Sequence, residues 1–235
     1  MSLIIADFVK FPTTPHLLWL GRIPSRRDKV LSRAEAEDFV RKPVIVEEKV
    51  DGANLGISFN AQGSLLAQNR GSLLDRGTRG QFAPLWPWLA VRETLLFDVL
   101  GDRFVLFGEW CYACHSIKYT RLPDFFLSFD VFDKQEQQFL STLRRDEIVG
   151  ELKLATVPRV CQGVFALSDV PGIIGQSSLY DGLMEGIYLR QESAAWLVRR
   201  AKVVRSEFVQ QIGEHWSKQP GITHHNRLTR RFGQV

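Results

Sequence analysis

Apolar and polar positions along the chain alternate between the two regular periods. The apolar run at 44–46 and the run at 55–59 flank the turn signal Asp51-Gly52, which predicts two strands joined as a hairpin by a tight turn. Further strands are predicted at 65–68, 104–109, 125–133, 157–161, 185–190 and 196–204. Ser32-Arg33-Ala34-Glu35 is a capping box that opens a short helix to about Arg41, and Pro43 stops it. Residues 84–100 read as one helix, with Leu85, Trp88, Leu89, Leu96 and Val99 on one face, Pro87 tolerated in the first turn and Gly101 as the stop. Ser141 caps a helix to about Leu154, and Ser206 caps a last one through about Trp216. The prolines in Phe11-Pro12-Thr13-Thr14-Pro15-His16-Leu17 predict an extended, irregular start. The stretch 171–175 is turn-rich, and the tail with Pro220, Gly221 and 227–231 reads as irregular. Strands and helices mixed in this order give an α+β chain.

Composition bounds the reading. With 235 residues, 45% hydrophobic and 24% charged, the chain can bury a good core as one domain with a small appendage. No apolar run approaches the roughly 20 residues that span a bilayer, and the start lacks the features of a secretory signal. The expectation is a cytoplasmic protein with no membrane partner. Three cysteines, Cys111, Cys114 and Cys161, leave an odd one out, which suits a reducing compartment. Cys111-Tyr112-Ala113-Cys114-His115 formally matches a haem attachment string, but nothing else supplies export or an axial partner. Zinc lacks a second Cys/His pair at ligand spacing.

Net charge is +4, but 199–235 holds eight Lys/Arg against two Glu, an excess of +6 that leaves −2 for the remainder. That basic segment reads either as a polyanion contact or as a solvated tail.

The stretch Glu47-Glu48-Lys49-Val50-Asp51-Gly52-Ala53-Asn54 carries the sharpest chemistry. Lys49 ends an apolar strand, where a side chain can be held over a cleft. Among carboxylates it reads equally as a salt-bridged surface residue or as a nucleophilic amine. The second needs a neutral amine, favoured by desolvation or a neighbouring cation. Glu109 closes the apolar strand 104–109, a place ionised carboxylates avoid unless paired.

Lys49-Val50-Asp51-Gly52-Ala53-Asn54 resembles the nucleotidyl-lysine motif of the covalent nucleotidyltransferases, the superfamily of ATP-dependent DNA and RNA ligases and capping enzymes. Asn54 stands where RNA ligases carry Asn and DNA ligases usually carry Arg. Other parts follow in the family's order. Asn69-Arg70-Gly71 resembles the Arg-Gly beside the nucleotide's ribose. Glu109 resembles the glutamate that holds the ribose hydroxyls. Phe129, with Phe132 second, matches the aromatic that stacks on adenine. Glu185-Gly186-Ile187-Tyr188-Leu189-Arg190 matches a strand whose glutamate organises metal near the α-phosphate. Arg200-Ala201-Lys202 is similar to the family's Lys-x-Lys, departing from it at Arg200. The string 110–117 and the Pro-Thr-Thr-Pro-His start resemble bacterial RNA-ligase-like proteins, the latter with no role that can be derived.

The resemblance implies a nucleotidyltransferase (ligase adenylylation) domain at 1–205, with antiparallel sheets around an ATP cleft, and a basic helical C-terminal extension at 206–235. About thirty residues follow Lys202, too few for the OB-fold of many relatives. Lys49, Lys202 and Glu185 would be catalytic. Glu48, Asn54, Arg70, Glu109, Phe129, Arg200 and Lys202 would bind the nucleotide, and Glu185 the metal. ATP and Mg2+ (or Mn2+) are the implied cofactors. RNA, for instance a nicked duplex, is the implied partner, and an end-processing kinase or phosphatase could prepare its termini. The implied function is RNA ligation of 5′-phosphate and 3′-hydroxyl ends through a lysyl-AMP. A DNA ligase, a capping-type enzyme and a non-catalytic RNA-binding protein on the same fold are the alternatives.

Overall fold

The computed structural model describes residues 4–5, 7–22, 29–211 and 224–229. In chain order its strands are β1 (Ile4–Ile5), β2 (Phe8–Val9), β3 (Val44–Lys49), β4 (Ala53–Phe59), β5 (Leu65–Gln68), β6 (Phe104–Trp110), β7 (Phe126–Asp133), β8 (Gln138–Phe139), β9 (Ala155–Thr156), β10 (Arg159–Gly163), β11 (Gly186–Glu192) and β12 (Leu197–Val204). The helices are α1 (Arg33–Val40), α2 (Leu85–Ala90), α3 (Glu93–Leu100), α4 (Thr142–Glu151) and α5 (Ser206–Gln211). One sheet runs β10-β3-β11-β12, and a second runs β5-β4-β6-β7-β8 with β9 added to β7. All pairings are antiparallel except β7 with β9.

Alternation along each strand gives each sheet an outer apolar face and an inner face that carries polar side chains. Val44 and Val46 of β3, Ile187 and Leu189 of β11, and Ala201 and Val203 of β12 pack outward against Ala36, Phe39 and Val40 of α1. Leu55, Ile57 and Phe59 of β4 and Leu106 and Trp110 of β6 pack outward against Leu85 and Leu89 of α2, Leu96 and Leu100 of α3 and Val149 of α4. The intervening residues face the space between the sheets.

The expected hairpin at 44–59 does not form. β3 pairs with β10 and β11, whereas β4 pairs with β5 and β6. Both runs were apolar, but each serves a different core, so Val50-Asp51-Gly52 carries the chain from one sheet to the other. Gly52 is required by crowding: a Cβ there would lie 2.8 Å from the Trp110 carbonyl and 3.0 Å from Cγ of Glu109.

The helix expected at 84–100 is two helices. Arg92 leaves helical geometry, with φ −120°. Its guanidinium reaches Asp124 at 3.2 Å and stacks over Trp88 at 4.3 Å, while the apolar face continues across the break. The capping box at Ser32 and Glu35 forms in both directions. Ser141 precedes α4, but its hydroxyl donates to the Ala194 carbonyl, and Glu192 instead accepts the Thr142 N–H at 2.9 Å. Of the last expected helix, residues 206–211 are helical, and 212–216 lie outside the described residues.

Residues 224–229 run against the loop at 111–122. Asn226 is buried, its side chain donating to the carbonyls of Cys111 (2.9 Å) and Ala113 (3.1 Å) and accepting the Tyr119 N–H (2.8 Å).

Candidate active site

Between the inner faces lies a cleft of about 360 Å³. The first sheet contributes Glu47, Glu48 and Lys49 from β3, Tyr188 from β11 and Lys202 from β12, and the second contributes Asn54, Glu109 and Phe129. Arg70 stands exposed at the rim. Glu47, Lys49, Asn54, Glu109, Tyr188 and Lys202 meet because alternation points them inward from neighbouring strands, whereas Glu48, on the opposite face of β3, turns its side chain to Ser177.

Lys49 ends β3 and is directly paired in register with Gly186, next to Glu185. Its Nζ donates to both oxygens of Glu185 at 2.7 Å. On its other side Gly186 lets β12 approach, since a Cβ there would lie 2.2 Å from the Val203 carbonyl. Burial works to lower the lysine's pKa, but Glu185, then Glu109 and Asp51, outweigh it and hold the pKa above its ordinary value. Of the two readings of Lys49, the ligand-free geometry shows the ion-paired one. Unliganded, the site sets Lys49 among carboxylates that favour its ammonium form, Glu185 foremost.

Glu109 faces the same centre. Its Oε1 accepts the Gly52 N–H at 3.2 Å. Burial pushes its pKa up to about 8; Lys49 opposes this, and the negative charges of Glu185 and Asp51 add to it. Asp51 points away and fixes the turn: Oδ2 accepts the N–H groups of Ser116 (2.7 Å) and Ile117 (3.0 Å), while its own N–H donates to the Tyr119 hydroxyl at 2.8 Å. Glu48 is buried and accepts from the Ser177 hydroxyl at 2.6 Å. Burial raises its pKa against that hydrogen bond. The Asn54 side-chain oxygen is buried with no hydrogen-bond partner among the described residues, an acceptor turned to the cleft.

The structure separates the two candidate aromatics. Phe129 lines the cleft edge-on to Phe11, with centroids 5.4 Å apart. Phe132 is fully buried against Phe139, with centroids 4.9 Å apart. The Phe129 carbonyl accepts from two buried arginines, Arg145 at 2.8 Å and Arg190 at 3.1 Å. Arg145 pairs with Glu47 at 2.7 Å and Arg190 with Asp130 at 2.5 Å, so a neutralised ionic layer backs this wall.

Arg200 is not among the residues lining the cleft. Its guanidinium pairs with Asp130 at 3.0 Å and sits 4.0 Å above the Phe139 ring. Alternation does put it on the face of Lys202, but Asp130 and the rings beside it engage the side chain first. Lys202 lines the cleft and acts on the charge of Glu185.

The start of the chain supplies a wall that residue patterns did not assign. Phe11, Pro12 and Thr14 line the cleft. The segment extends β12, Lys202 donating its N–H to the Pro15 carbonyl (2.9 Å) and Leu17 donating its own to Lys202 (2.8 Å). Tyr188, whose hydroxyl is 3.4 Å from that of Thr14, was also missed. Alternation along β11 puts Tyr188 on the face of Arg190, which held a signal for it.

Comparison with solved structures finds RNA ligases. A mutant of the Naegleria gruberi RNA ligase with AMP and Mn matches at 13% identity and TM-score 0.64, over 92% of this chain and 61% of that one. A second mutant of that ligase, with ATP and Mn, matches at 13% identity and TM-score 0.62, over 91% and 61%. The same ligase with PPi matches at 17% identity and TM-score 0.62, over 88% and 65%. These likenesses establish the fold, and this chain spans about three-fifths of the length of the proteins it matches. Comparison with curated protein sequences returned no match. The RNA ligase family profile matches residues 42–204, and the chain belongs to the RNA ligase family.

Proposed function

We propose that this chain is the adenylyl-transfer unit of an ATP-dependent RNA ligase, built as a nucleotidyltransferase domain around an ATP cleft. The observation that carries this reading is Lys49 held between Glu185 and Glu109 at the floor of a cleft that also contains Lys202 and Phe129.

The Lys49 nitrogen would attack the α-phosphorus of ATP. A nitrogen–phosphorus bond forms, the bond to the β-phosphate oxygen breaks, and pyrophosphate leaves, giving a lysyl-AMP. The attacking nitrogen must lose its proton, and Glu185, in contact with it, is placed to take it. Lys202 faces the developing charge on the phosphate oxygens, where one such stabiliser is typically worth ~10²–10³ in rate. Phe129 would stack on the adenine, Glu109 and Arg70 would meet the ribose side, and Asn54 offers its unpaired acceptor. Glu48 backs the lysine from the same wall.

The donor set fits a divalent cation shared with the substrate. Among the described residues no group of three or more His, Cys, Asp or Glu is placed to hold a metal. Magnesium and manganese sites of phosphoryl enzymes use one or two carboxylates together with phosphate oxygens, and Glu185 is the carboxylate in place. When bound, the cation neutralises phosphate charge. The solved Naegleria ligases with ATP and Mn and with AMP and Mn support a divalent cation beside the nucleotide.

The AMP would then pass to a 5′-phosphate end of RNA, in a nicked duplex or at free ends, and a 3′-hydroxyl would displace it. An end-processing kinase or phosphatase would supply such termini. No described helix is long and apolar enough to cross a membrane.

The test is incubation with α-labelled ATP and magnesium. The native chain should become covalently labelled and Lys49→Ala should not. Label on the alanine variant would show that another residue carries the nucleotide.

A further inference from the structure

The +6 excess of 199–235 points to the end of the chain as the polyanion contact. The structure commits four of those eight cations elsewhere. Arg199 pairs with Asp38 at 2.6 Å, Arg200 with Asp130 at 3.0 Å and Arg205 with Glu207 at 3.5 Å, and Lys202 faces the cleft. A charge matched by a carboxylate has little left for a phosphate.

A different stretch holds unmatched charge. Between β5 and α2, Arg70, Arg76 and Arg79 are exposed, and none forms an ion pair with a described carboxylate. Arg76 lies over the Trp86 ring at 5.2 Å, which preorganises the guanidinium without consuming its charge.

The loop that carries them is built rather than slack. Asn69 Oδ1 accepts the N–H groups of Gly71 (2.8 Å) and Ser72 (2.9 Å). The Trp86 indole donates to the Asp75 carbonyl at 2.8 Å, and the Trp110 indole to the Gln81 carbonyl at 2.7 Å. The loop thus starts at Arg70 on the rim of the cleft and ends fastened to Trp110, the residue after Glu109.

We propose that the loop 70–80 is the RNA-backbone contact of this protein, with Arg76 and Arg79 binding phosphates of the strand whose end enters the cleft at Arg70. The chemistry recognised is the phosphodiester backbone, so binding is independent of base sequence. The proposal deepens the ligase reading and rests on it for the identity of the polyanion. Neither Arg76 nor Arg79 lines the nucleotide cleft.

The experiment compares the full native chain, R76A/R79A and the charge-matched R33A/R41A. Arg33 and Arg41 lie in and just after α1, on the outer face of the other sheet, and both pair with Glu37. The probe is single-stranded RNA with a 5′-phosphate, titrated at several salt concentrations, with covalent labelling by ATP measured in parallel. R76A/R79A should weaken RNA binding about tenfold or more and lower the slope of log affinity against log salt by about 1.4, at about 0.7 per lost single-strand phosphate contact. Labelling should stay within about twofold of native, and R33A/R41A should bind RNA as the native chain does. Unchanged affinity and slope in R76A/R79A would overturn the proposal, as would an equal loss in both double variants. A native chain that never labels would overturn the ligase reading instead, and the RNA titration would still decide the loop.

Discussion

Lys49 and Glu185 form a two-pronged ion pair, with both carboxylate oxygens 2.7 Å from Nζ. The pair ties the nucleophile's protonation to one carboxylate. Replacing Glu185 by Gln removes the charge that most favours the ammonium, so the lysine should release its proton more readily. The acid limb of the pH–rate profile for covalent labelling should shift to lower pH, while the plateau rate falls by ~10²–10³. An unmoved limb would mean that Lys49 does not set it.

Glu109 predicts a pH effect on stability. Its folded pKa of about 8 lies above the ordinary carboxylate value of 4.5. Between these values the folded chain binds more protons than the unfolded one, so this group makes stability fall as pH rises through the window. Glu109→Gln keeps the shape without the charge. Its Tm should drop less than the native Tm between pH 5 and pH 8, measured without nucleotide.

Phe129 and Phe132 should separate binding from stability. Phe129→Ala should raise the KM for ATP in the labelling reaction with little loss of Tm. Phe132→Ala opens a cavity in a fully buried layer and should cost ~3–5 kcal/mol in denaturant unfolding. Its KM should stay near native at temperatures where the variant is folded.

Asn226 links the end of the chain to the turn that carries Lys49. Its side chain holds Cys111, Ala113 and Tyr119, and Tyr119 in turn accepts the Asp51 N–H. Asn226→Ala leaves buried backbone groups unpaired, at about 1–3 kcal/mol each. Hydrogen exchange at 111–119 should accelerate in this variant more than exchange in β11.

Much of this architecture was legible from local pattern, because strands with one apolar face and helices with caps announce themselves within a few residues. Predicted strands at 65–68, 104–109 and 125–133 coincide closely with β5, β6 and β7. What failed was pairing. The runs at 44–46 and 55–59 look like one hairpin until their apolar faces are assigned to separate helices, and no local signal makes that assignment. Lys49, Glu109, Phe129, Glu185 and Lys202 were legible because the family motifs name them, and the cleft brings them together. Arg200 met a long-range partner, Asp130, that its own neighbourhood did not reveal. Phe11, Pro12 and Thr14 were unassigned for the converse reason: an extended proline-rich segment carries no periodicity, and its place beside β12 depends on hydrogen bonds to a strand almost two hundred residues later.

The passage at Val50-Asp51-Gly52 has a neighbour. Val157-Pro158 makes a second short crossing between the sheets, from β9 to β10, and the Glu48 N–H donates to the Pro158 carbonyl at 2.8 Å. Two brief, bonded ties therefore fasten the walls together at the lysine. Buried ion pairs, Arg190 with Asp130 and Arg145 with Glu47, join the same two walls away from these crossings. Lys49 therefore hangs from backbone that both walls share, and its place opposite Glu109 is set by two short crossings rather than by one sheet alone.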